Sequence, residues 1–265
     1  GVDVILTWDH LFPLSGDPDG SHFECWSLLA GWAEATERVQ LGPLVACTAF
    51  RNPDLHADIA RTVDHISAGR VIFGLGAGWL ERDFTAYEIE FGTAGSRLDA
   101  LAADLPRIRA RWDALVPRPA GALPILVGGG GERKTLRMVA QYADESNIIC
   151  APEDIPRKLA ALAAHCERLG RDRSEITVSY QTSVCIAPMR EQAEREADEA
   201  VARIPELAVR RPGIICGSPD EVAAVYQRIM ATGVDGVTVN APANGHIDGR
   251  VRLLGETLAP LIPSH

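Results

Sequence analysis

A chain of 265 residues, 46% hydrophobic and 23% charged, has the composition of a globular protein long enough to bury one large core. Its formal net charge of −10 argues against nucleic-acid or membrane-surface partners and leaves small molecules as the expected ones. Six scattered cysteines (Cys25, Cys47, Cys150, Cys166, Cys185, Cys216) form no CxxC pair and no zinc-type cluster, which predicts a reduced, cytoplasmic protein without a metal site.

Residues 2–8 (VDVILTW) read as a strand, with Asp9 and His10 where it ends. The chain opens at Gly1 rather than Met and passes straight into that strand, so a further segment is expected upstream. A helix is predicted over 23–38, a strand over 40–47, and a helix from Pro53 to about Ile66. Residues 71–79 (VIFGLGAGW) form a buried strand whose end is nearly stripped of side chains, because Gly74, Gly76 and Gly78 alternate with Leu75 and Ala77. Such an end lets another group approach the main chain closely, and a planar ring or a phosphate is the functional reading. A tight strand-to-helix crossing is the bland alternative.

A loop or short helix to about Phe91 and a helix over 96–115 come next. Ile125, Leu126 and Val127 make a short strand that opens into Gly128, Gly129, Gly130 and Gly131, with a helix predicted over 132–142. Further strands are expected over 144–150, 176–187 and 234–240, and helices over 152–170, 218–232 and 250–261. The charged stretch 190–207 reads as a polar helix or an excursion. Seven strand candidates, nearly all followed by helices, predict a single α/β domain with a parallel sheet. One more βα unit upstream would complete a (β/α)8 TIM barrel, and a doubly wound sheet is the rival.

In a parallel barrel the site lies at the C-terminal strand ends. The run from Gly128 to Thr135 (GGGGERKT) carries the clearest message. Four glycines entering a helix expose successive N–H groups, and Arg133 and Lys134 add positive charge, as a phosphate cradle would require. A flexible turn is the alternative. His10 could donate a proton or be satisfied within its loop; Asp9 could serve a ligand or cap a turn. Trp8, Phe50 and Trp79 are candidates to wall an apolar pocket. No serine triad, HExxH or Walker lysine is present.

Five segments together resemble the luciferase-like monooxygenase superfamily, within it the coenzyme F420-dependent oxidoreductases of actinobacteria. They are WDHLFP at 8–13, FRNP at 50–53, DHISAGRVIFGLGAGWLERDFTAY at 64–87, LPILVGGGGERKTLRMVAQYADESN at 123–147, and GSPDEVAAVYQRIMATGVDGVTVN at 217–240. The resemblance implies a (β/α)8 barrel whose first βα unit precedes Gly1, with a deazaflavin at its C-terminal mouth. It implies hydride transfer between F420 and an unidentified small organic substrate, with His10 as proton donor and Asp9 against the ring. Leu44 and Val45 fall where relatives carry a non-proline cis peptide behind the ring. Ala77 and Gly78, together with Gly128, Gly129, Gly130, Gly131, Glu132 and Arg133, would hold the cofactor's ribityl and phosphate portions. Trp79 stands where the family's sugar-phosphate dehydrogenases have a glutamate, so that activity is not implied. FMN in a two-component monooxygenase is the nearer alternative, a noncatalytic ligand-binding barrel the remoter one, and a homodimer is the assembly the resemblance allows.

Overall fold

Runs that are apolar on every residue can be buried on both faces only if helices cover the sheet, and that is how they fold. In the computed structural model, which describes residues 2–261, strands and helices alternate. They are β1 (Val4–Thr7), α1 (Cys25–Ala35), β2 (Gln40–Pro43), β3 (Ala46–Cys47), α2 (Pro53–Ile66), β4 (Phe73–Gly76), α3 (Glu81–Ala86), α4 (Ala94–Ala114) and β5 (Ile125–Gly128). Then follow α5 (Thr135–Tyr142), β6 (Glu145–Ile148), α6 (Ile155–Leu169), β7 (Thr177–Ile186), α7 (Arg190–Arg203), β8 (Ile214–Gly217), α8 (Pro219–Met230), β9 (Gly236–Asn240) and α9 (Arg250–Leu258).

Every ladder is parallel, in the spatial order β1–β2, then β3–β4–β5–β6–β7 with β9 on the far side of β7. A single bridge from Leu41 to Val71 joins the first pair to the rest. Among the described residues the reversal of strand order that marks a doubly wound sheet is not seen; strand follows strand around one curve. Curvature is visible in Asn147 of β6, whose amide donates both to Ser179 Oγ on β7 and to Thr238 Oγ1 on β9, each at 2.9 Å. Neighbouring strands lie about 4.8 Å apart, so a short side chain spans two spacings only on a concave face. Among the described residues β9 and β1 share no ladder.

Two strands differ from expectation. The 40–47 strand is broken into β2 and β3 by a cis peptide between Leu44 and Val45. β8 was not expected: IICG is too short to stand out in a charged stretch, and it forms by pairing with the C-terminal half of β7, with Cys185 opposite Cys216. The stretch before it is a helix after all, because α7 buries Ala193, Ala197 and Ala200 in a small core with Leu207 and Ile214. The main core lies between sheet and helices, where Trp26, Phe73, Leu105, Trp112, Val127 and Val139 meet. None of the described helices is long and apolar enough to cross a membrane.

The glycines of the strand ends have a use different from the one their spacing suggests. A Cβ on Gly74 would land on the carbonyl oxygen of Pro43, and one on Gly76 would come to 2.5 Å from Val45 Cγ2. On Gly128 it would meet Val45 Cγ1 at 2.8 Å. The group that comes close is therefore the neighbouring strand's own bulge, with Val45 wedged against β4 and β5. Since valine is stiff at χ1, it cannot swing aside.

Two outcomes are expected. Gly76→Ala should cost about 1–3 kcal/mol in urea unfolding, and Val45→Ala combined with it should be less damaging than the sum of the single changes. Glu145 shares the concave face with Asn147, and burial, with Asp144 beside it, raises its carboxyl from 4.5 to about 7. The folded state then holds a proton that the unfolded chain has lost, so stability falls as pH rises from about 4.5 to about 7. Glu145→Gln should gain about 1–2 kcal/mol above pH 7 and nothing near pH 4 in a pH series of unfolding curves.

Candidate active site

β1 ends at Thr7, and the three residues after it enter the mouth of the curve. Asp9 is 4% exposed. Its Oδ2 accepts the Cys47 N–H at 3.0 Å, and both its oxygens are held by the Arg51 guanidinium at 2.6 and 2.9 Å. Arg51 also reaches Glu24 at 2.6 Å. Burial lifts the Asp9 carboxyl above its ordinary range, against the pull of Arg51. Asp9 thus ties β1 to β3 and fixes the bulge; the carboxylate expected to face a ring is engaged by protein. Arg51, the cation of the FRNP segment, is its partner, and nothing in its spacing to Asp9 announces that.

His10 turns the other way. Its Nδ1 is 2.6 Å from Oδ2 of Asp83, a carboxylate 1% exposed, while the imidazole itself is 15% exposed. The indoles of Trp8 and Trp79 meet the imidazole edge to face, with ring centroids 6.4 and 5.5 Å away. Trp79 is 61% exposed and Trp8 40%. Together they make an exposed aromatic pair beside the imidazole. Phe50 does not join it, packing instead against Phe84. Asp83 was hidden in sequence within the mixed run Glu81, Arg82, Asp83; only the fold shows that one of the three turns inward.

α3 holds the loop after β1 at three more points. Leu11 N–H donates to Asp83 Oδ1 at 3.4 Å, and Arg82 covers the Phe12 ring and donates to the Pro18 carbonyl at 2.8 Å. His56, by contrast, is a core residue. It accepts the Trp26 indole N–H at 3.0 Å, and burial lowers its imidazole to about 3, so it is neutral.

Leu44 and Val45 are the cis pair, as the resemblance implied. Ala77 and Gly78 follow β4, and Gly78 has φ +77°. A Cβ there would meet Cys47 Sγ and Phe84 at 2.7 Å, so this glycine also serves packing. The glycine run divides in two. Gly128 backs onto Val45 and Gly131 onto Thr135, whereas a Cβ on Gly129 (φ +120°) or Gly130 would meet nothing nearer than 3.5 or 3.4 Å. Those two leave room for a ligand atom near the backbone. α5 begins at Thr135, not Glu132. The reason is that Glu132 is drawn to α6, where it pairs with Lys158 at 2.8 Å and with Arg157, while His165 takes its carbonyl. Arg133 is exposed. Lys158, its side chain 14% exposed, brings positive charge beside Gly130 from a helix more than twenty residues downstream, which sequence could not signal. Room at Gly129 and Gly130, with Lys158 and Arg133 at hand, fits a phosphate-bearing cofactor.

Residues 1–233 match the family described as luciferase-like monooxygenase. The F420-dependent glucose-6-phosphate dehydrogenase 1 of Rhodococcus jostii (strain RHA1) is 26% identical over 309 residues, covering 98% of this chain and 90% of that protein. An F420-dependent secondary alcohol dehydrogenase, in complex with an F420–acetone adduct, superposes with a TM-score of 0.85 at 17% identity, over 100% of this chain and 91% of that one. The oxygenating constituent of 3,6-diketocamphane monooxygenase from Pseudomonas putida, in complex with FMN, does so with a TM-score of 0.75 at 17% identity, over 100% and 90%. The structural likenesses bear on the fold alone, and the family match extends over most of the sequence: the chain belongs to the luciferase-like monooxygenase family.

Proposed function

We propose that this protein is an oxidoreductase that transfers hydride between coenzyme F420 and a small organic substrate of apolar character. The observation that carries the reading is His10, seated on a buried carboxylate at the strand-end mouth. Each hydride given to or taken from a polar carbon is accompanied by a proton, and an imidazole that touches both a carboxylate and the open mouth can supply it. The names of curated relatives support F420 as the cofactor, and FMN-bound neighbours make FMN the reading to be tested against it.

When bound, the deazaflavin supplies a hydride donor or acceptor. The chain's residues do the rest. The Gly129 N–H is held by the Asn147 carbonyl at 2.9 Å, so Gly130 would offer the backbone N–H to its phosphate, with Lys158 and Arg133 as counter-charge. Val45, locked by the glycines of β4 and β5, gives the ring a rigid apolar backing. Asp9 keeps that backing in place through Cys47 and Arg51. Trp8 and Trp79 shield the reacting carbon from water and favour an uncharged substrate over a sugar phosphate. Assembly as a homodimer, a small-molecule substrate and a cytoplasmic setting belong to the same proposal.

Titration of the purified protein with F420 and separately with FMN, followed by cofactor fluorescence, tests the reading. Selective F420 binding is expected. Preference for FMN would move the assignment to an oxygen-using monooxygenase, and binding of neither would overturn both. In the F420-loaded enzyme, His10→Ala should leave the cofactor Kd within about threefold and lower kcat about 10²–10⁴-fold. Unchanged turnover would remove His10 from the mechanism.

A further inference from the structure

We infer that Asp83 is the positioning residue of the site: it fixes His10 in the Nδ1–H tautomer, so that Nε2 faces the mouth as a base for a substrate hydroxyl. The inference rests on the proposed hydride-transfer reading and narrows it to substrates whose reacting carbon is an alcohol in one state and a carbonyl in the other.

Asp83 is 1% exposed, and a carboxylate there can only accept. The 2.6 Å contact therefore requires the proton on Nδ1. Leu11 N–H occupies the other oxygen, which keeps the carboxyl plane from turning away. With Nδ1 committed, neutral His10 carries its lone pair on Nε2. That nitrogen makes no hydrogen bond among the described residues, and it lies on the edge of the ring opposite the buried carboxylate. The exposed part of the imidazole is thus the basic part. The other groups around the ring are the uncharged indoles of Trp8 and Trp79. His22, whose Nε2 touches the His10 carbonyl, engages the backbone instead of the ring.

The proton and electron count then closes. In the oxidising direction the carbinol C–H leaves as hydride to the bound deazaflavin, the O–H proton goes to His10 Nε2, and the C–O bond becomes a carbonyl. The imidazolium so formed is held against the Asp83 carboxylate. In the reducing direction the same imidazolium returns the proton to the carbonyl oxygen as hydride arrives. A neutral Nε2–H tautomer could not take the hydroxyl proton, because its lone pair would point at Asp83.

The test is direct. Long-range 1H–15N correlation spectra of 15N-histidine-labelled, ligand-free protein at pH 8 report which ring nitrogen of each histidine bears hydrogen, and His10→Gln assigns the His10 signals. Wild-type protein should show Nδ1–H for His10. Asp83→Asn, which can accept from Leu11 with its oxygen and donate to Nδ1 with its amide, should invert this to Nε2–H while thermal unfolding shows the fold retained. An Nε2–H tautomer in the wild type, or an unchanged tautomer in a folded Asp83→Asn protein, would overturn the inference. In the F420-loaded enzyme the same variant should lose at least about 100-fold in kcat with the F420 Kd unchanged, and Asp83→Glu should recover part of the loss; an unaltered kcat would equally overturn it. Because the spectra need no cofactor, failure of F420 to bind would count against the proposed function alone.

Discussion

The wedge of Val45 against the glycine ends of β4 and β5 is the constraint on which the rest depends. A bulge in one strand can press on two neighbours only where those neighbours have no side chains, and Gly74, Gly76 and Gly128 meet that condition. The near-bare backbone that looks made for a ligand is made first for protein. What a ligand would meet is one layer above it: a fixed valine and, beyond it, the open backbone of Gly129 and Gly130. From the other side Asp9 clamps the same bulge through the Cys47 N–H. Removing Arg51 would leave the Asp9 carboxylate buried without a counter-charge, which typically costs several kcal/mol, whereas Arg51 without Asp9 would still have Glu24.

The scaffold beneath the site uses the same economy of backbone contacts. In the segment DHISAGR, Asp64 is fully buried and accepts N–H groups from Gly121 and Val71. Arg70 spreads its guanidinium over the carbonyls of Ala33, Thr36, Val39 and Ser67. Two of those carbonyls end α1, where backbone oxygens lack helical partners. One arginine thus closes a helix and sets the spacing between α1 and the start of β4, which in turn places the strand ends.

Much of this was legible in the sequence. Helix boundaries followed their punctuation: Asn52 with Pro53 opens α2, Ser218 with Glu221 forms a capping box at α8, and Gly170 at φ +66° stops α6. The parallel order followed from doubly apolar strands separated by helices. The cis pair and His10 came through resemblance of local motifs. What stayed hidden were relationships between distant residues. Asp83 lies 73 positions from His10, and Arg51 lies 42 from Asp9. Lys158 approaches Gly130 only because Glu132 and α6 meet. A pattern of residue types cannot tell which acid in a charged run turns inward; that is decided by the direction in which a six-residue helix crosses a loop. β8 was missed for a related reason, since four residues become a strand there only through β7's free edge.

α3 has a further consequence. Its adjacent residues Arg82 and Asp83 grip the loop after β1 at Pro18 and Phe12 on one side and at His10 and Leu11 on the other. The loop after β1 and the His10–Asp83 pair are therefore fastened by the same two side chains. A change in the angle of α3 would thus disturb the loop and the His10–Asp83 pair together, since neither has a separate fastening to that helix.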